Sequence, residues 1–290
     1  MSEERWLCKW SEGIYDSTSI KDFLCCKRRG YLRWVLGLQP INMPAALAYG
    51  IAAHEGLDVL YGEGTTEDAI RAAVGKLGSL EFTETTKRNA YTLAELIESY
   101  SVKYDMPVEK NKTEQTEVQF AIAMPNGTIY SGRLDRTLID NGARLVCDYK
   151  TSAYKPSSKW FTTFDNDFQL LGYSYANRSI TGDCTGYMVD AMRVDANAAD
   201  CFAREQFPVT NLQYEEWENT YIYATNAIRS LIQKMQGKDP LECIMDWPCE
   251  HTACKDWGGC VYKDACIYGP TSNAVKITMT MGAPDRKADD

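Results

Sequence analysis

Two short runs, Gly132-Arg133-Leu134-Asp135 and Asp148-Tyr149-Lys150, bring together two carboxylates and a lysine where a divalent metal and a phosphodiester could meet. Apolar and polar residues alternate over 128–138 and 144–151 as in strands, and Asn141-Gly142 between them is a strong short-range hairpin signal. A two-residue loop at 141–142 pairs residue 140 with 143. Asp135 is then opposite Asp148 and Arg133 opposite Lys150, all four on one face, while Leu134, Leu138, Leu145, Cys147 and Tyr149 line the other and suit a core. Directly opposed carboxylates have β-carbons roughly 5 Å apart and repel unless a positive charge lies between them. Hard oxygen ligands suit Mg2+ or Mn2+. Taken alone, a D-x-K triplet is more often a solvated sheet edge, since such triplets arise often in charged strands.

Further residues give the hairpin company. His54, one of two histidines, sits in Gly50-Ile51-Ala52-Ala53-His54-Glu55, within an Ala/Leu-rich helical stretch that begins near Met43. Gln169 and Tyr173 lie four apart in a helical pattern, and so share a face. The order His54, Gly132-x-x-Asp135, Asp148-x-Lys150 followed by Thr151-Ser152, then Gln169-x-x-x-Tyr173 resembles the RecB-type branch of the PD-(D/E)XK nuclease superfamily, over roughly residues 15–270. The resemblance implies an α/β fold with a central mixed sheet of the restriction-endonuclease-like core and an N-terminal helical lobe. It implies that His54, Asp135, Asp148 and the Tyr149 carbonyl bind the catalytic metal, that Lys150 activates water and stabilises phosphate charge, and that Gln169 and Tyr173 help to hold the DNA strand and the lysine. Glu117, on the strand-like run 114–123, is expected to be an exposed strand residue rather than a supporting site group.

The cysteines form a second constellation. Eleven are present, and Cys249, Cys254, Cys260 and Cys266 crowd the C-terminal part. The charged start Met1-Ser2-Glu3-Glu4-Arg5 leads into no apolar run, so no signal peptide or membrane span is expected, and a reducing cytoplasm follows. In that compartment clustered thiols read as metal ligands. Five residues separate Cys254 from Cys260 and Cys260 from Cys266, a longer spacing than the paired knuckles of structural zinc, and an iron–sulfur cluster fits better. The segment Phe23-Leu24-Cys25-Cys26-Lys27-Arg28-Arg29-Gly30-Tyr31-Leu32-Arg33 resembles the F-x-x-C-P-R-K-Y-Y-x-R helix of iron–sulfur members of the same branch, including the CRISPR-associated nuclease and bacterial helicase–nucleases. Aligned on Arg28, Tyr31 and Arg33, it implies a [4Fe-4S] cluster on Cys26, Cys254, Cys260 and Cys266, with Cys25 and Cys249 as competitors. Such a cluster is a clasp joining the two ends of the chain, structural rather than redox-sensing. Cys8, Cys147, Cys184, Cys201 and Cys243 read as ordinary buried thiols.

These groups need elements to position them. Helical patterns cover 17–36, 43–62, 66–78, 84–103, 164–178 and 211–236, and strand patterns cover 114–123, 128–138, 144–151, 184–194 and 202–209, with a short strand within 274–281. The expected organisation is a helical region at 1–112, a nuclease core at 113–240, a cysteine segment at 241–270 and a tail at 271–290. The apolar fraction of 44% and charged fraction of 24% are those of a soluble globular protein. A net charge of −9 argues against broad coating of DNA, so any DNA path is a local basic strip, for which Arg28, Arg29, Arg33 and Lys155 are the candidates. Tyr154, Trp160 and Phe161 are candidates to stack on unpaired bases. The resulting expectation is a Mg2+- or Mn2+-dependent exonuclease on single-stranded DNA or duplex ends, in phage or mobile-element DNA processing, with a helicase, recombinase or integrase partner. Trimming of CRISPR spacers and an idle DNA-binding scaffold are the alternatives.

Overall fold

The computed structural model describes residues 9–195 and 200–282 of the 290-residue chain, so Cys8 and the last part of the tail lie outside the described residues. In chain order the elements are β1 (Ile14–Tyr15), α1 (Ser17–Cys25), α2 (Lys27–Gly30), a π turn (Tyr31–Val35), β2 (Leu38–Pro40), α3 (Ala45–Tyr61), α4 (Thr66–Gly78), α5 (Ala90–Lys103) and α6 (Met106–Lys112). There follow β3 (Thr113–Ala123), β4 (Ile129–Asp140), β5 (Ala143–Ser152), α7 (Ser158–Phe161), α8 (Phe168–Thr181), β6 (Cys184–Arg193), β7 (Phe202–Pro208), α9 (Asn211–Lys234), α10 (Lys263–Tyr268), α11 (Asn273–Lys276) and β8 (Met279–Met281). No helix among the described residues is long and apolar enough to cross a membrane.

Two differences from the sequence reading have local causes. The pattern over 17–36 is not one helix: Cys26 is extended, at φ −159° and ψ 116°, and separates α1 from α2. The pattern at 84–103 becomes helical only at Ala90, where the Asn89 side chain caps the Thr92 N–H and the Thr92 hydroxyl returns the bond, an N-cap box that stops the helix extending backward. The chain forms two compact units that cross the expected segment boundaries. One comprises residues 1–41, 120–132 and 215–290, and the other residues 42–119 and 133–214.

The second unit holds an α/β core. From Arg136 on, β4 runs antiparallel to β5, β5 is parallel to β6, and β6 is antiparallel to β7, which makes a mixed sheet. Small residues let α3 and α4 approach closely: a β-carbon on Gly56 would meet the Ala73 Cβ at 2.9 Å and the Ala69 carbonyl at 3.0 Å. Ala52, Leu57, Leu93, Leu96 and Ile97 of the helices share a buried cluster with Leu138, Leu145, Cys147 and Tyr149 of the hairpin. Each such Leu removed from water contributes roughly 1.5–3 kcal/mol, which seats α3 on the β4–β5 hairpin. The crossover helix α8 packs against β5 and β6.

The first unit brings described residues of its N-terminal and C-terminal segments together around aromatic rings. Trp247 stacks on Trp10 at 6.1 Å and on Tyr31 at 5.4 Å, and Tyr130 packs on Trp217 at 4.9 Å. Its strand pairings are β1 parallel to the first residues of β4, through Ile14 with Ile129 and Tyr15 with Tyr130, and β2 antiparallel to β8.

Candidate active site

Asn141 and Gly142 carry φ of 50° and 82°, the left-handed pair of a type I′ turn, and the ladder above them pairs Asp140 with Ala143 through to Arg136 with Cys147. This is the register the turn dictates. Continued, it would send the Tyr149 N–H to the Leu134 carbonyl; instead the Asp135 Oδ2 accepts that N–H at 3.0 Å. The Asp135 carboxylate thus stands in for a backbone acceptor at this point of the ladder.

His54, delivered by α3, bridges the hairpin. Its Nε2 donates to the Tyr149 carbonyl at 2.9 Å and its Nδ1 lies 3.4 Å from Asp135 Oδ1. Both ring nitrogens therefore face acceptors. Burial disfavours the imidazolium, but Asp135, and more distantly Asp148, overcome it and push the His54 pKa up to about 8. Lys150 Nζ stands 2.5 Å from Asp148 Oδ2. Burial opposes the charge of both carboxylates, with opposite results: Asp135 is held below its ordinary value by His54, the Tyr149 N–H and Lys150, while burial and Asp135 keep Asp148 raised despite Lys150. Burial opposes the Lys150 charge as well, and Asp148 and Asp135 outweigh it and raise its pKa.

Beneath this face the core side of the hairpin is less apolar than its pattern promised. Arg136 is fully buried with its guanidinium 3.9 Å over the Tyr61 ring; Tyr61 stacks on Tyr149 at 6.0 Å, and Tyr149 meets His54 edge-on at 5.6 Å. These rings fix the residue whose carbonyl holds His54. Gln169 Nε2 donates to Tyr173 Oη at 2.9 Å, the shared face expected of the pair. Asp167 caps α8 by accepting the Gln169 and Leu170 N–H groups, and its charge reaches Lys150.

Glu117 is not the exposed strand residue expected of it. Its side chain is 22% exposed and pairs with Arg133 Nε at 2.6 Å, and its φ of 51° breaks the alternation of β3. Burial lifts its carboxyl to about 7; Arg133 opposes that rise, and Asp135 and Asp58 add to it. No side-chain pattern marks a left-handed residue inside a strand, so the sequence held no signal for it.

The donor set of a nitrogen, two carboxylates and a backbone carbonyl suits a hard divalent ion, and Asp148 Oδ2 is a buried oxygen with no hydrogen bond of good geometry. Among the described residues, however, no group of three or more His, Cys, Asp or Glu is arranged to hold an ion as it stands, either here or at the cysteines.

The second constellation lies in the first unit. Cys26 Sγ accepts the Glu250 N–H at 3.3 Å. Burial, then the neighbouring Cys26, Cys266 and Cys254 thiols, push Cys249 up to about 12, and burial together with other thiols of this group raises Cys260 and Cys266. Cys25 turns instead to Arg29, 4.0 Å away. The basic candidates are engaged within the fold. Arg28 Nε donates to the Trp247 carbonyl, Arg29 and Arg33 pair with Asp22 at 2.7 and 2.9 Å, and Lys155 pairs with Asp200 at 2.5 Å. Of the stacking candidates, Tyr154 is exposed, while Phe161 is buried.

The sequence model of the PD-(D/E)XK nuclease superfamily matches residues 17–267. Among solved structures, the chain is similar to the protein described as "Putative exonuclease" from Eubacterium rectale, with a TM-score of 0.50 and 15% identity over 79% of this chain and 87% of that one, a likeness of fold. No curated protein matches the chain.

Proposed function

Because the chain belongs to the PD-(D/E)XK nuclease superfamily, we propose that the Asp135, Asp148 and Lys150 face of β4 and β5 is the centre of a Mg2+- or Mn2+-dependent DNA nuclease of the RecB-like kind, an exonuclease on single strands or duplex ends. The observation that carries this reading is the placing of the His54 ring between the Asp135 carboxylate, which faces Nδ1, and the Tyr149 carbonyl, which accepts from Nε2, beside the Asp148–Lys150 pair. In this reading His54, Asp135, Asp148 and the Tyr149 carbonyl hold the ion, which when bound polarises the phosphoryl oxygen and acidifies a water. Lys150 holds the attacking water near the phosphorus and offsets charge that develops on the phosphate. Gln169 and Tyr173, tied to one another on α8, steer the strand toward the lysine.

We assign a [4Fe-4S] cluster to Cys26, Cys254, Cys260 and Cys266, with Cys249 as the competing thiol. The Glu250 N–H aimed at Cys26 and the mutual influence of the thiols support it. Cys25, turned to Arg29, is the weaker competitor. Phage or mobile-element DNA processing, beside a helicase, recombinase or integrase, is the setting this reading proposes.

End-labelled single-stranded, duplex and closed circular DNA with either ion tests the enzyme. The protein should shorten the first two and spare the circle. Lys150→Ala should reduce turnover by at least about a hundredfold while DNA binding changes much less, as for a group used mainly in the transition state. Wild-type protein that binds these DNAs and cuts none would return the idle-scaffold alternative.

A further inference from the structure

We infer that Arg133 binds the phosphate next to the scissile one and that Glu117 is its positioning residue, an inference that rests on the nuclease reading above. Three observations carry it. Arg133 is two residues from Asp135 on the same strand, so its side chain leaves the face that carries Asp135, about 6.6 Å along at 3.3 Å per residue. That is the scale of one nucleotide step in an extended strand. Secondly, its guanidinium is fixed, with Nε 2.6 Å from Glu117 Oε2, yet the side chain keeps 34% of its surface exposed and within a ligand's reach. A guanidinium bound edge-on by a carboxylate is pre-organised for phosphate, because less rotamer freedom is lost on contact.

The third observation is the backbone cost. Glu117 sits at φ 51° inside a strand, a left-handed conformation that costs a non-glycine residue and persists only where its surroundings enforce it. The kink in β3 is what turns the carboxylate onto Arg133, rather than leaving it to alternate outward with its neighbours. A solubilising surface pair needs no such backbone. Lys150 and Arg133 then divide the work. The lysine, on Asp148, serves the reacting phosphate, and the arginine, on Glu117, sets the register of the strand that is fed to it.

The test measures equilibrium binding of end-labelled oligothymidine in Ca2+ across a range of salt, with cleavage in Mg2+ measured in parallel. Each phosphate contact to a single strand contributes about 0.7 to the slope of log affinity against log salt. Arg133→Ala should weaken binding about tenfold and lower that slope by about 0.7, and it should raise KM by more than it lowers kcat. Arg133→Lys should restore the slope but only part of the affinity, since the charge returns without the fork. Glu117→Gln should weaken binding less than Arg133→Ala with the slope retained, and the double variant should be no worse than Arg133→Ala alone. A merely structural ion pair predicts equal losses from the two single variants and an unchanged slope, and that result overturns the inference. If the wild type cleaves DNA while Arg133→Ala keeps its slope, only this inference fails; if the wild type neither binds nor cleaves, the nuclease reading fails with it.

Discussion

His54 holds its imidazole between the Tyr149 carbonyl and Asp135, an arrangement that in the absence of an ion favours the doubly protonated ring. The rise of its pKa from 6.5 to about 8 corresponds to at most about 2 kcal/mol. Because the folded-state value lies above the unfolded one, this contribution is complete below pH 6.5 and disappears as pH rises through about 8. Unfolding by urea in EDTA should therefore show a midpoint that falls between pH 6 and pH 9, and His54→Gln should flatten that part of the profile. Loading runs the other way. An imidazolium has no lone pair to donate, so at the proposed site Mn2+ would have to displace a proton, and its affinity should climb toward pH 8 and then level off. An affinity independent of pH over that range would remove His54 from the ligand set.

At the scale of elements, the position of that histidine depends on how closely α3 can lie against α4. Gly56 stands two residues after His54, and a methyl there would press the Ala73 Cβ at 2.9 Å and the Ala69 carbonyl at 3.0 Å. Gly56→Ala should lower stability by about 1–3 kcal/mol through overpacking and weaken Mn2+ binding as His54 shifts. Gly75, on the partner helix, faces open space, and a β-carbon there would meet nothing within 4 Å, so Gly75→Ala should instead raise stability by about 0.5–1 kcal/mol and leave metal binding alone. Paired denaturation curves and metal titrations check both outcomes. The hairpin that faces α3 was readable in the sequence because Asn141-Gly142 permits few turns, and its register carried Asp135 and Asp148 to one face. Cys26 was not readable as a helix break, because nothing in its neighbours forbids a helix; its backbone is extended between α1 and α2 while the next helix binds Pro248 and Trp247 from a distant part of the chain. Arg136 was likewise hidden. It occupies a core position of the alternation, and its tertiary neighbours, the Glu109 carboxylate at 3.8 Å, the Tyr61 ring and the Cys147 thiol, account for a buried cation there.

At the scale of the whole molecule, one compact unit is sewn from residues 1–41, 120–132 and 215–290, and all the proposed cluster ligands belong to it. Trp247, stacked on Trp10 and on Tyr31, draws the C-terminal segment onto the N-terminal one through ring contacts. Four thiolates bonded to iron would then close a loop that spans most of the chain, and the gain falls on the unfolded state, whose freedom is removed. Protein purified without oxygen should accordingly be brown, with iron and sulfide each near about four per chain. Cys260→Ser should bleach it and expose segment 241–270 to protease before the nuclease core is cut, whereas Cys25→Ser and Cys201→Ser should keep the colour. Cys249→Ser is the informative variant. Its thiol neighbours Cys254, Cys26 and Cys266, so loss of iron in Cys249→Ser with retention in Cys254→Ser would exchange those two ligands and leave the clasp intact. Stoichiometric zinc without sulfide in the wild type would remove the cluster altogether, and the aromatic stack would be left as what joins the two ends.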